Sequence, residues 1–307
     1  MSLVARAVVL GLAMFALTNL AVSALVALFA RRAELGRRGA SGLFLLRMLP
    51  SLAAVGVGIG LWVPSYWLLE PRQAEEAPAW VAQWLAALGA ALILAGAYRG
   101  LRAQAATAWL TRFQGAATPL ATEALPAYRL PTAQPTVVLV GLVKPRVLLS
   151  SRVLEVLTAP ELAVVLAHED AHRRARDNWR RLAMAAAPDA LGWLGGARPL
   201  EVAWRRAAET RADHRAVEGQ PERAINLCNA LIKVARLGLA APVTATFGSF
   251  LHDGEELRDR IERLLGEPLR ATPGRVPVWP WLGLALFVAP GLHLVHECGE
   301  LLLRLGR

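Results

Sequence analysis

Long apolar blocks and shorter amphipathic stretches divide the chain into distinct regions. Four blocks are almost free of charge, at about residues 7–30, 48–69, 80–98 and 278–295. Each reaches or nearly reaches the roughly 20 residues with which an α-helix crosses the hydrocarbon core. Trp62, Trp67, Trp80, Trp84, Trp279 and Trp281 stand in or near the block ends, where indole rings prefer the membrane–water interface. Between the third and fourth blocks the apolar pattern shortens to helix and strand periods. The expected fold is mainly α and integral to a membrane. Three transmembrane helices occupy residues 1–100, an α+β domain with a small hairpin or sheet occupies 101–276, and a fourth span with a short tail occupies 277–307.

Within the α+β stretch, Thr118–Gln134 is rich in Pro, Ala and Thr and predicts a linker or irregular loop. Thr136–Ser150 holds two apolar runs around Lys144-Pro145, the pattern of a hairpin or two short strands. Such strands form either a structural sheet or an edge that aligns a peptide by strand addition. A short helix is expected at Ser151–Leu157. Thr158-Ala-Pro-Glu161 is a capping box with Pro in the first turn, predicting a helix from Ala159 to about Arg176. Leu162, Val165 and Leu166 give that helix a buried face. Ala203–Val217 is also helical by pattern. Leu182–Leu194 is apolar but broken by Pro188 and too short to span, so it is expected to pack on the domain or dip into the interface.

Composition and charge add orientation. The chain is 55% hydrophobic, against the roughly 45–50% of an ordinary soluble domain. The first block follows Arg6 and contains small residues at Ala21–Ala24, as a cleaved leader would. Its length and the succeeding Arg31, Arg32, Arg37 and Arg38 predict an uncleaved anchor instead. Those arginines place the first loop in the cytoplasm. Glu70, Glu75 and Glu76 mark the second loop as external, and Arg99, Arg102 and Arg112 return the chain to the cytoplasm. A multi-pass protein of the cytoplasmic membrane is expected, with a cytoplasmic α+β domain and both termini outside. The net charge of +10 falls mostly on the inner side, which suits an anionic bilayer leaflet. No helix-turn-helix, zinc knuckle or aromatic RNA-binding pattern appears, so direct nucleic-acid binding is not expected. Two isolated cysteines, Cys228 and Cys298, support neither a disulfide framework nor a thiolate metal site.

Chemistry concentrates at His168-Glu169-Asp170-Ala171-His172, an HExxH sequence on the capped helix. Residues i and i+4 share a helix face, so both imidazoles can reach one zinc ion. Glu169, one position on, can reach a metal-activated water as general base. Ala203–Val217 carries Glu209 and Asp213, also at i and i+4. A carboxylate at Glu209 would complete a three-ligand set with a position left for water, and Asp213 would hold a ligand imidazole. Taken alone, Glu209 and Asp213 among their neighbouring arginines are a charged helix face.

The run GLVKPRVLLSSRVLEVLTAPELAVVLAHEDAHRRARDN resembles the core of the BlaR1/MecR1-type membrane metallopeptidases (family M56). The related HtpX/Ste24-type peptidases (M48) share the HExxH and a later ExxxD. The resemblance continues at Glu209–Val217 and Glu256–Leu265, and in the layout of three spans, a metal domain and a fourth span. It implies a gluzincin-type domain with His168, His172 and Glu209 as zinc ligands, Glu169 as base, Asp213 in support and Asp177 in a structural role. It further implies a membrane zinc endopeptidase acting on a protein or peptide, in the receptor pathway a transcriptional repressor. About ten residues follow the fourth apolar block, too few for the receptors' extracellular sensor domain to fold, which leaves three alternatives: a separate sensor protein as partner, a signal received in the membrane segments, or constitutive processing. Two alternatives accompany this reading: an HtpX-like quality-control protease, and a non-proteolytic signalling or scaffold protein with a zinc domain. Substrate, signal and oligomeric state are not encoded legibly.

His252 and Arg260 are candidates for substrate or transition-state contacts, by similarity to a histidine ahead of an Arg-Ile pair in the M48 type. Their spacing differs from that pattern, and a solvated histidine and a salt bridge are the competing readings. His293, His296 and Glu297 read as a polar edge of the fourth span. Arg173, Arg174, Arg176, Arg180 and Arg181 read as a solvated or lipid-facing continuation of the metal helix.

Overall fold

The computed structural model describes residues 2–32, 35–69, 78–112, 117–121, 125–132, 134–238, 254–266, 297–298 and 301. The expected fourth span, and His252, His293 and His296 with it, lie outside the described residues. Helix α1 covers Leu3–Arg32. Helix α2, Ala40–Val55, runs through a π-helical turn, Gly56–Trp62, into α3, Val63–Leu69. Helix α4 covers Trp80–Arg112. Three helical stretches are long and apolar enough to cross a membrane: Val4–Arg31, Ala40–Leu68 and Trp80–Ala106. The second begins well before residue 48, because Arg47 does not end the apolar pattern as a free charge would. It is buried within the bundle on acidic partners. The third helix outruns Tyr98, since Arg99 ends the apolar pattern but not the backbone ladder; its guanidinium donates to the carbonyls of Ala185 and Ala187.

The region expected to be a linker supplies two strands, β1 (Thr118–Leu120) and β2 (Ala127–Leu130). They join β3 (Val137–Val140) and β4 (Arg146–Ser150) in a four-stranded sheet of order β1-β2-β4-β3. β2 runs parallel to β4, and the other two pairings are antiparallel. Short strands between prolines evade period-2 reading, which is why Thr118–Gln134 looks irregular in sequence. Gly141 opens the β3–β4 hairpin at φ +95°, and a Cβ there would lie 2.7 Å from the Lys144 carbonyl oxygen. β3 and the central Val147–Leu149 of β4 are apolar because both sheet faces are covered. Val137, Leu139, Val147 and Leu149 pack towards the helices, while Val138, Val140 and Leu148 pack on Leu130 behind.

Helix α5 (Ser151–Val156) starts on the Ser150 hydroxyl, which accepts from Val153 N–H. Helix α6 is Ala159–Arg174, with the expected capping box. It ends two residues early. Arg176 adopts the left-handed conformation (φ 55°), and α7 (Asp177–Ala186) restarts in a new direction. A non-glycine residue held there costs on the order of 1 kcal/mol. Helices α8 (Ala197–Val217), α9 (Pro221–Arg236) and α10 (Gly254–Gly266) complete the domain. α9 is amphipathic and buries Leu227 and Leu231 completely beneath the sheet and α6. Each such leucine contributes about 1.5–3 kcal/mol through burial.

The domain is wedded to the bundle by the turn after α7. Pro188–Ala190 reaches Asn19, which stands about 18 Å of helix before Arg31. Asn19 donates to the Pro188 carbonyl (2.8 Å) and accepts from Ala190 N–H (3.0 Å). Asp189 receives Arg47 at 2.7 Å and Ser51 at 3.2 Å. Gly96 of α4 lets this turn in, since a Cβ would meet the Ala186 carbonyl at 2.6 Å. The stretch expected to lie on the domain or the interface therefore inserts between α1, α2 and α4. Leu200, Trp204 and Ala208 of α8 pack against Ala40 and Leu43 of α2, fixing the next helix of the domain as well.

Candidate metal centre

α6 presents His168 and His172 on one face, and α8 crosses it so that Glu209 faces both. The two Nε2 atoms are 3.1 Å apart. Glu209 Oε2 is 3.4 Å from His168 Nε2, and Glu209 Oε1 is 3.5 Å from His172 Nε2. All three residues are buried and form a group able to hold a metal ion. In a tetrahedral centre with ligand distances of about 2.0–2.1 Å, ligand atoms stand ~3.3–3.4 Å apart. The observed separations are of that size, with one Glu209 oxygen facing each imidazole.

The other imidazole nitrogens face carboxylates on two different helices. His172 Nδ1 bonds Asp177 Oδ2 at 2.8 Å, and His168 Nδ1 lies 3.0 Å from Asp213 Oδ1. A proton on Nδ1 leaves the Nε2 lone pair pointing into the triangle. Two such lone pairs and a carboxylate converging at hydrogen-bond distance repel one another unless a cation lies between them. Glu209 Oε2 is sealed from solvent and receives no directed hydrogen bond among the described residues. The residues therefore fit a divalent metal with nitrogen and oxygen preference.

The surrounding charges point the same way. Burial disfavours charged imidazole, yet Glu209 and Asp177 outweigh it and carry His172 up to about 10. Asp213 and Glu209 raise His168 against the same burial. Burial also pushes the acids up, but His172 and Arg260 hold Glu209 well below the usual carboxylate range. Arg260 and His168 do the same for Asp213, and His172 and Arg211 for Asp177. The cluster draws in positive charge, which a dication provides while the imidazoles stay neutral.

Glu169 borders the same cleft as His168, His172, Glu209, Leu139, Asn178 and Arg181. Burial raises its carboxyl above the ordinary value, against the pull of the two histidines. Arg260 of α10 is buried on Asp213, with Nε–Oδ2 3.0 Å and Nη2–Oδ1 2.6 Å, and its Nη1 is 3.3 Å from Glu209 Oε2. It thus braces two acids of the centre.

Three features go beyond the sequence reading, which gave Asp177 a structural role without its partner. Asp177 is a full counterpart of Asp213, gripping His172 while Arg211 holds both its oxygens. Asn178 donates to the carbonyls of Leu139 and Gly141, and Trp179 to that of Leu142, so α7 already occupies this end of the β3 edge. Arg181 is buried beside the metal face, contrary to its reading as solvated or lipid-facing surface. The α6–α7 break at Arg176 causes that error, because a continuous helix would point residue 181 elsewhere. The Asp177-Asn178 pair right after the arginine run was the available signal.

Residues 138–197 match the model for Peptidase family M48. No curated protein matches the chain. The matched span runs from β3 to the start of α8 and includes His168, Glu169 and His172, while Glu209 and Asp213 lie beyond it. A metallopeptidase domain of M48 similarity joined to three apolar helices is the outcome.

Proposed function

We propose that this protein is a membrane-embedded zinc endopeptidase, with His168, His172 and Glu209 as metal ligands and Glu169 as general base. The observation that carries it is the convergence of two imidazoles, 3.1 Å apart, on the Glu209 carboxylate, whose two oxygens lie 3.4 and 3.5 Å from them, beside the buried Glu169 carboxyl. Zinc, when bound there, supplies Lewis acidity and lowers the pKa of water towards 7. Asp177 and Asp213 hold the imidazoles so that Nε2 stays a lone-pair donor. Glu169 takes a proton from the attacking water and passes it to the departing amine nitrogen. Its raised proton affinity makes both transfers easier near neutral pH.

The substrate is proposed to be a protein or peptide that approaches at the inner face of the bilayer. The M48 match favours quality-control proteolysis of membrane proteins. The receptor-like alternative is cleavage of a transcriptional repressor in partnership with a separate sensor. The positive-inside pattern supports a cytoplasmic domain in either case.

Purified protein is expected to carry about one zinc per chain and to cleave β-casein. Glu169→Gln should keep the zinc and lose at least ~1000-fold in kcat. Cleavage by that variant at the parental rate would refute Glu169 as the base, and a zinc-loaded parent that cleaves nothing would refute the proposal and leave the scaffold reading. Comparison of new protein termini in membranes holding parent or Glu169→Gln enzyme separates quality control from a single repressor.

A further inference from the structure

Arg181 is the one guanidinium that lines the metal cleft together with Glu169 among the described residues. It is 9% exposed, and Nη2 is sealed from solvent without a hydrogen bond. Its described contacts are two. Nη2 lies 3.9 Å from Glu209 Oε1, beyond hydrogen-bond reach, and the guanidinium carbon stands 5.6 Å over the Trp204 ring. Other buried cations of the fold are engaged: Arg47 on Asp189 and Glu201, and Arg260 on Asp213. A buried guanidinium left without a hydrogen bond costs several kcal/mol unless an anionic oxygen arrives.

Taken together with the protease reading, on which this step rests, the geometry points to Arg181 as a catalytic residue that donates to the oxygen of the scissile carbonyl as it becomes negative. Arg181 lines the same cleft as Glu169, His168, His172 and Glu209, so a peptide carbonyl held there for attack has the guanidinium as a bordering donor. The guanidinium carbon lies 5.6 Å from the Trp204 ring centroid, and α8 carries both Trp204 and Glu209, so Arg181 of α7 meets the metal ligand's own helix at both contacts. As water adds to the carbonyl carbon, the C=O electron pair moves to oxygen, and Arg181 donates N–H to that oxygen. When the C–N bond breaks, the pair returns to C=O and Glu169 hands its proton to nitrogen. Neither Arg nor Glu is changed over the cycle.

The competing role is structural: Arg181 as a countercharge that keeps Glu209 in place. The two differ in what they do to the metal. Removing an undirected cation beside a dication site leaves zinc affinity unchanged or tighter, whereas removing a brace loosens it. Full-length Arg181→Met and Arg181→Lys are compared with parent and Glu169→Gln in detergent. Three quantities are read: zinc affinity by chelator competition, kcat and KM on β-casein peptides, and binding of a peptidyl phosphonate, a tetrahedral anion. Arg181→Met is expected to hold zinc at least as tightly as the parent and to lose 100–1000-fold in kcat, with KM within threefold. Phosphonate binding should weaken by at least 30-fold, with Arg181→Lys intermediate in both. Weakened zinc binding, or kcat and phosphonate binding within threefold of parent, overturns the assignment. Should Arg181→Met not fold, Arg181→Lys decides, on the same measurements. A parent without zinc, or one that binds zinc and cleaves nothing, overturns the protease reading instead, so the two failures are distinct.

Discussion

Two buried charge clusters sit at opposite ends of α7, and they are built on opposite rules. At its C-terminal end, Arg47, Ser51, Asp189 and Glu201 form a closed set. Arg47 donates to Glu201 at 2.8 Å, to Asp189 at 2.7 Å and to the Met184 carbonyl at 3.1 Å. Asp189 accepts from Arg47 and Ser51 on one oxygen and from Leu191 N–H on the other. At the N-terminal end, the metal centre leaves capacity over: Glu209 Oε2 and Arg181 Nη2 are sealed and lack directed bonds. A polar group buried for architecture is satisfied within the fold, because leaving it unmade costs about 1–3 kcal/mol. Sealed nitrogens without a partner among the described residues occur elsewhere too, as at Trp204 Nε1; what marks the metal centre is that Glu209 and Arg181 line one cleft with Glu169 and the two histidines.

The largest expected effect comes from opening the closed cluster. Asp189→Leu leaves Arg47 with only the half-exposed Glu201 as counterion and should cost about 3 kcal/mol of stability. Unfolding in mixed detergent micelles measures it. Arg47→Met combined with Asp189→Leu removes both charges and should return to within about 1–2 kcal/mol of the parent, since Glu201 is half exposed and can be solvated. A single variant as stable as the parent would show that this cluster is not what seats the domain on the bundle. Zinc bound per folded chain should not change in either variant.

The second test addresses the open cluster and is smaller. Asp177→Asn keeps an acceptor for His172 Nδ1 but removes the charge shared with Arg211. Zinc affinity should fall 10–100-fold, read by chelator competition. Asp189→Asn, at the other end of the same helix, should leave affinity within threefold. Equal losses from both would mean that the two ends of α7 act as one unit and that the contrast between them is false.

Legibility in the sequence follows the same division. The metal face was readable because its chemistry needs fixed residue types at helical spacing: His168 and His172 one turn apart, Glu169 beside them, and Glu209 and Asp213 one turn apart on a second helix. The apolar spans were readable from length alone. What escaped was set by backbone direction. Nothing in Arg173–Arg181 shows that the chain takes a left-handed step at Arg176, and that step decides whether Asp177 meets His172 and whether Arg181 faces lipid or metal. Likewise, Arg47 looks like a span boundary until Asp189, far away in sequence, is seen to neutralise it. The strands β1 and β2 are too short for periodicity and exist because β4 gives β2 a partner and β2 in turn pairs with β1.

The smallest expected effect comes from a charge that is satisfied and lies outside both clusters. Glu161 Oε2 accepts from Thr158 N–H and from Lys233 Nζ, each at 2.8 Å, closing the first turn of α6 and tying it to α9. Burial pushes this carboxyl up, but the Lys233 and Thr158 bonds outweigh it and hold it below the ordinary carboxylate range. Its folded value is thus below its unfolded one, so its contribution is present above the unfolded value near 4.5 and is lost as pH falls through the folded value. Glu161→Gln should cost about 1 kcal/mol at pH 7. The gap between parent and variant should close as pH falls below 4.5, in unfolding curves recorded at pH 7, 5 and 3.5. A gap that stays constant across that range would assign the cost to helix geometry, and then satisfaction by charge would not be the rule that holds α6 at its start.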